Sequence, residues 1–173
     1  MVLGVGVGSS GTEFDFLAAS FADRGARADD AIAALRAAWG TTRPDYDGAF
    51  YRFGSLQVEP CGIQPRVPIW VGARTERSLR RALQFGDGWM PFALGRNEIT
   101  TMLDGRSLPP DFEVVLASPR LDPTGDPARC AHKLVALRES GATMVTCSVT
   151  ATSAGHYCEQ LVALRDLADD LGS

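Results

Sequence analysis

Ile69-Trp70-Val71 runs straight into Gly72-Ala73-Arg74-Thr75, and a helical pattern follows. Small residues, a hydroxyl and one guanidinium at a helix entrance can bind a phosphate, through backbone N–H groups and a planar fork of donors. The same residues also serve a chain that only has to turn tightly, with Arg74 a solvated loop arginine. Val2 to Gly8 reads V-L-G-V-G-V-G, so one strand face carries glycine at 4, 6 and 8. A bare face of this kind lets another backbone or a ligand press against it, or else belongs to a glycine-rich arm that frays. Arg96 is expected in a loop crossing the strand tips, as a contact for an anionic group or as a surface arginine. Asp87 reads as structural. No general base is evident: His132 falls in a predicted helix and His156 near the start of the last one, neither with a carboxylate partner or a strand-end place. The catalytic residues are therefore unassigned.

These residues need elements to hold them. Thr75 reads as an N-cap with Glu76 in the first turn, and Leu79, Ala82 and Leu83 form one apolar face. Arg77, Arg80, Arg81 and Gln84 take the other side, and Gly86 ends the helix. Asp29 to Trp39 is a second amphipathic helix, with Ile32, Leu35 and Trp39 inward and Arg36 pointing away. Phe14 to Ala19 gives a helical turn. Residues 41–65 read as an excursion holding aromatics and a strand-like Leu56-Gln57-Val58. Further strands are expected from 88, 113 and 142, and helices from Asp126-Pro127 to Glu139 and from Gly155 to Leu171. Strands beginning at 2, 69, 88, 113 and 142, mostly joined by helices, make an α/β fold with a parallel sheet. Ligands then belong at the carboxyl ends of the strands.

Composition narrows the classes. With 173 residues and 45% hydrophobic content the chain suits one domain with a real core. A net charge of −4 argues against a nucleic-acid surface, although 16 of 17 basic residues are arginine and Lys133 is the single lysine. No apolar run approaches the roughly 20 residues of a membrane span, and the cytoplasm is the expected compartment. Cys61, Cys130, Cys147 and Cys158 lack paired spacing, so no metal site is expected, and Cys130 and Cys147 read as buried free thiols.

Five stretches in order carry a resemblance: Gly4-Val5-Gly6-Val7-Gly8, Phe21 to Arg27 with its helix, Gly48-Ala49-Phe50-Tyr51-Arg52-Phe53, Pro68 to Ala73 and Gly86-Asp87-Gly88-Trp89. Together they resemble the luciferase-like monooxygenases, flavin- or F420-dependent oxidoreductases built on a TIM barrel. The resemblance implies a single truncated (β/α)8 domain over 1–173, with the fourth to eighth strands present and 41–65 as an insertion. A whole barrel takes about 250 residues, which leaves this chain short by roughly 80, at its front. By the same resemblance Gly6 and Gly8 approach an FMN or F420 cofactor, and Gly72, Ala73, Arg74 and Thr75 hold its phosphate. Many relatives have a second glycine and an asparagine or serine where Ala73 and Arg74 stand. Arg96 is then a contact for an anionic substrate or the F420 tail, and hydride transfer belongs to the cofactor acting on a small-molecule substrate. Open barrel edges imply self-association, a homodimer being the simplest form, either of an active enzyme or of a non-catalytic remnant.

Overall fold

The structure is a computed structural model that describes residues 1–172. Contacts divide the chain into two compact units, 1–90 with 108–112, and 91–107 with the residues from 113 onward.

In the first unit the elements run β1 (Leu3–Val5), α1 (Gly11–Phe16), α2 (Arg24–Ala38), β2 (Tyr46–Asp47), β3 (Arg52–Phe53), β4 (Ile69–Gly72), α3 (Glu76–Phe85) and β5 (Gly88–Met90). β4 lies between β1 and β5, parallel to both, with Leu3 opposite Ile69 and Trp70 opposite Gly88. The alternation in Ile69-Trp70-Val71 sends Ile69 and Val71 into a core shared with Ile32, Val67, Leu79, Ala82 and Trp89. α3 follows its predicted pattern at Leu79 and Ala82, but Arg81 is buried and ion-paired to Asp29 of α2, with a further bond to Gly25 O at 3.2 Å. A guanidinium can leave water when a carboxylate and a carbonyl meet its donors. Arg36 likewise turns inward, to Asp87 and to Val67 O at 2.7 Å. Both arginines therefore depart from the outward placement that periodicity implied.

The excursion is pinned to α2. Asp30 accepts from Tyr46 Oη at 2.6 Å and from the amides of Phe50 and Tyr51 at 2.7 and 2.9 Å. Those bonds, the tyrosine hydroxyl first, hold the Asp30 carboxyl below its usual range against the opposing effect of burial, and Asp30 in turn raises the Tyr46 phenol. A side chain at position 48 would run into Asp30 Oδ1 and the Tyr46 ring, so the signature glycine there makes room for the clasp. Leu56 to Val58 forms no strand; the local pair is the short β2–β3 hairpin, and Leu56 and Val58 are exposed.

The second unit contains α4 (Arg96–Leu103), β6 (Glu113–Ala117), α5 (Pro127–Glu139), β7 (Met144–Thr146) and α6 (Ala154–Gly172). β6 and β7 are parallel, and a bridge between Leu121 and Val149 continues the pairing into the loops beyond them. Asp126 caps α5 by accepting from Arg129 N at 3.0 Å, with Pro127 in its first turn, as the sequence implied. The core gathers Val114, Val115, Leu116, Leu121, Cys130, Ala136 and Leu137. Cys130 is buried as expected, whereas Cys147, just past β7, is exposed. No described helix is long and apolar enough to cross a membrane.

Candidate functional site

In the first unit the exits of β1 and β4 lie side by side. An added Cβ on Gly72 would stand 3.7 Å from Val5 O and 3.7 Å from Met90 O, ordinary contact distances. At Gly4 and Gly6 an added Cβ would meet no atom within 4 Å, so the bare face of the glycine strand is open there. Gly8 is different. It has φ +79°, and the Phe14 ring lies 2.6 Å from where its Cβ would be, so the group pressed on it is a side chain of α1.

The turn after β4 is built around Ser78. Thr75 is the N-cap of α3, its Oγ1 accepting from Ser78 N at 3.2 Å, while Ser78 Oγ accepts from Thr75 N at 3.2 Å. Ser78 Oγ donates to Thr75 O at 2.6 Å and accepts from the indole N–H of the buried Trp89 at 3.3 Å. The Thr-x-x-Ser spacing was a visible signal for this box. Within the turn Ala73 has φ +151°, a conformation that suits glycine. Arg74 is exposed, with no hydrogen bond or ion pair to any described residue. The entrance of a capped helix thus presents its positive end, a free guanidinium and a small-residue gap, an arrangement suited to an anion.

Asp87 stands at the other end of these strands. It pairs with Arg36 and with Arg66 at 2.5 Å and accepts from Ile69 N at 2.8 Å. Burial pushes its carboxyl upward, but the two guanidinium bonds and the amide outweigh that and leave it below the usual carboxylate range. It is a structural residue, as the sequence implied.

In the second unit Arg96 is exposed and is the first residue of α4, a helix rather than the expected loop. The exits of β6 and β7 hold a polar cluster that sequence reasoning missed. Fully buried Gln160 donates to Asp122 Oδ1 at 2.5 Å and to Thr150 O at 2.9 Å. His156 places Nε2 3.1 Å from the Gln160 amide nitrogen and Nδ1 3.1 Å from Thr152 Oγ1. The Asp122 carboxyl lies below its usual range, chiefly through the Gln160 bond, with Gly125 N, Thr124 Oγ1 and the His156 charge adding to it against burial. His156 therefore does have a carboxylate neighbour, supplied by a loop distant in sequence. Cys147 is a poor nucleophile: burial around its sulfur pushes the thiol upward in spite of the residue's exposed surface, and Ser118 opposes this only in part. No cluster of metal-ligating side chains occurs among the described residues.

Comparison with known proteins agrees with this architecture. An uncharacterized protein of Mycobacterium tuberculosis is 38% identical over 93 residues, 51% of this chain and 31% of the relative. A second from the same organism is 37% identical over 60 residues, 34% of this chain and 21% of the relative. The chain thus spans about a third or less of the length of these relatives. Among solved structures, monooxygenase RslO1 from Streptomyces bottropensis superposes with a TM-score of 0.69 at 16% identity, covering 99% of this chain and 69% of that one. An F420-dependent secondary alcohol dehydrogenase in complex with an F420-acetone adduct gives 0.56 at 14% identity, covering 96% and 61%. At these identities the structures speak to the fold alone, which is α/β and part of a TIM barrel. The model of the luciferase-like monooxygenases matches residues 1–106, more than half the sequence, and the chain belongs to that family.

Proposed function

We propose that the chain is an oxidoreductase of the monooxygenase type that uses FMN or F420 and acts on a small-molecule substrate in the cytoplasm. The observation that carries this reading is the Gly72 to Thr75 turn at the carboxyl end of β4, opening into the capped helix α3 in a chain of this family. Ligands of parallel α/β sheets sit at such strand ends. Arg74, with Gly72, Ala73 and Thr75 around it, would hold the cofactor phosphate. Gly6, open on its face, and Gly8 would border the rest of the cofactor, and Arg96 would meet an anionic substrate or the F420 tail. When bound, the cofactor supplies hydride transfer at its ring. The chain's own residues bind and orient it, and no side chain is assigned as an acid or base. The family match, and the presence of an F420-dependent dehydrogenase among proteins of this fold, are in keeping with the cofactor class. Titration of the purified protein with FMN, reduced FMN and F420, followed by absorbance and calorimetry, should give a dissociation constant in the micromolar range or below for at least one. No response to any of them would refute the reading.

One observation favours a second reading, a non-catalytic member that self-associates. An apolar groove of about 580 Å³ runs between α5, β7 and α6, lined by Leu134, Val145, Leu161, Leu164 and Leu171. Arg138 and Arg165 line it, and Arg165 is paired with its neighbour Asp166, so an apolar surface with a partly neutralised rim is open to the same patch of a second copy. This reading takes a second copy as the occupant and expects a homodimer in sedimentation without cofactor. A monodisperse monomer that binds FMN or F420 would overturn it.

A further inference from the structure

Gln160 is the one buried residue of α6, while its neighbours Leu161 and Val162 are 43% and 50% exposed. A helix that buries a carboxamide and leaves leucine in water is not using that position for packing. Burying such a group is unfavourable unless its hydrogen bonds are made, and here they are. The amide nitrogen donates to Asp122 Oδ1 and Thr150 O, and the carbonyl accepts from Thr124 N at 3.1 Å. Asp122 and Thr124 belong to the loop leaving β6, and Thr150 to the loop leaving β7. The two loops also pair directly, Leu121 N donating to Ser148 O at 2.8 Å and Thr150 N to Leu121 O at 2.8 Å. His156, one turn before Gln160, touches both as well, through Thr124 Oγ1 at 3.4 Å and Thr152 Oγ1 at 3.1 Å. Asp122 closes its own loop by accepting from Gly125 N at 3.2 Å.

We infer that Gln160 is a positioning residue: its buried carboxamide holds the two loops at the carboxyl ends of β6 and β7 in one conformation before any ligand arrives. This rests on the proposed function in one respect, that the cofactor or substrate is bound at the carboxyl ends of the strands. Gln160 is 0% exposed, so it cannot touch a ligand itself, and any effect on binding must pass through the loops. Pre-organised loops bind more tightly because less conformational freedom is lost on binding.

Two variants separate hydrogen bonding from packing. Gln160→Met keeps the length of the side chain and removes its bonds. Gln160→Glu keeps its shape and aims an oxygen at the Asp122 carboxylate and the Thr150 carbonyl. Amide hydrogen exchange in the unliganded protein is expected to rise at least tenfold at residues 122, 124, 125 and 150–152 in both variants, more in Gln160→Glu, with β4 and α3 unchanged. Combining Gln160→Glu with Asp122→Asn restores a donor–acceptor pair on the β6 side and leaves an oxygen facing Thr150 O, so exchange should fall back towards the parent in the loop leaving β6 and stay raised at residues 150–152. Unchanged loop exchange, or exchange rising equally throughout the second unit, would overturn the inference. If neither cofactor binds the parent protein, the cofactor reading falls, and the exchange comparison with its rescue still decides whether Gln160 holds the loops. Should Gln160→Glu fail to fold, Gln160→Met carries the same comparison.

Discussion

Replacing Asp87 by asparagine removes one charge and leaves the volume almost unchanged, which isolates the electrostatic part of its role. Asp87 and Arg36 have side chains 21% and 22% exposed, whereas Arg66 is 66% exposed. The Arg66 contact is screened by water and contributes little. The Arg36 bond and the Ile69 amide bond are half-buried and charge-assisted, a class worth about 1.5–3 kcal/mol each. Both of these bonds fall on the same oxygen, Oδ2, so an asparagine oxygen in its place keeps them in neutral form with its NH2 turned to Arg66, and Arg36 keeps Val67 O at 2.7 Å. What is lost is the charge assistance of the two bonds, an expected loss of about 1–2 kcal/mol, or roughly 2–8 °C in Tm for a chain of this size. The pH dependence follows from the direction of the shift. The folded carboxyl lies below its unfolded value, so its contribution is present above the unfolded carboxylate value of about 3.9 and fades as pH falls through the folded one. Urea unfolding at pH 7, 5 and 3 checks this: the gap between parent and variant should be full at the first two and narrower at the third. A loss below about 0.5 kcal/mol at pH 7, or a gap that does not narrow in acid, would refute the reasoning.

Ala73→Gly should stabilise the protein by about 0.5–2 kcal/mol in urea unfolding at pH 7. It relieves a φ of +151° costing about 1–3 kcal/mol, less the extra freedom glycine gives the unfolded chain. Gly48→Ala should destabilise by about 1–3 kcal/mol, since its methyl would enter the space of Asp30 Oδ1 and the Tyr46 ring. Tyr46→Phe, which removes the phenol bond to Asp30 and adds no atoms, should cost only about 1 kcal/mol in the same assay, and a loss as large as that of Gly48→Ala would mean the hydroxyl rather than the close approach sets the hairpin.

Regular periodicity made α3, α5 and the parallel strands legible, because each buries one face against a neighbour that the same pattern implies. Where sequence reading stopped short, the reasons are physical. α2 begins at Arg24, five residues before the expected start at Asp29 and ahead of its apolar spacing, and α4 buries only Ile99, so neither stretch shows a face. Helical spacing puts Arg36 and Arg81 on the faces turned from the apolar residues, yet both point inward. Their carboxylates, Asp87 and Asp29, stand 51 and 52 residues away, beyond the reach of any local pattern. The Thr75 cap and the turn before it were visible as local spacing. The Gln160 cluster was not, since it draws on two loops and a helix with no shared motif.

The stretches that reveal the family are, in this chain, structural joints with a bearing on the site. Gly48 to Tyr51 fits onto Asp30 of α2, and Arg27 of the same helix lies over the Phe50 ring at 4.7 Å. Asp87 ties Arg36 of α2 to the first residue of β4. Two positions along β5, Trp89 reaches Ser78 with its indole N–H, and Ser78 in turn bonds both the amide and the carbonyl of Thr75. A line of hydrogen bonds therefore joins the Gly-Asp-Gly-Trp stretch to the turn at residues 72–75, so residues with no evident chemistry of their own fix where the Arg74 guanidinium begins. That explains why the family was easier to read than the catalysis: its signatures shape the anion-sized gap from beneath, while the phosphate contact proposed for it depends on Ala73 and Arg74, which lie outside that line of bonds.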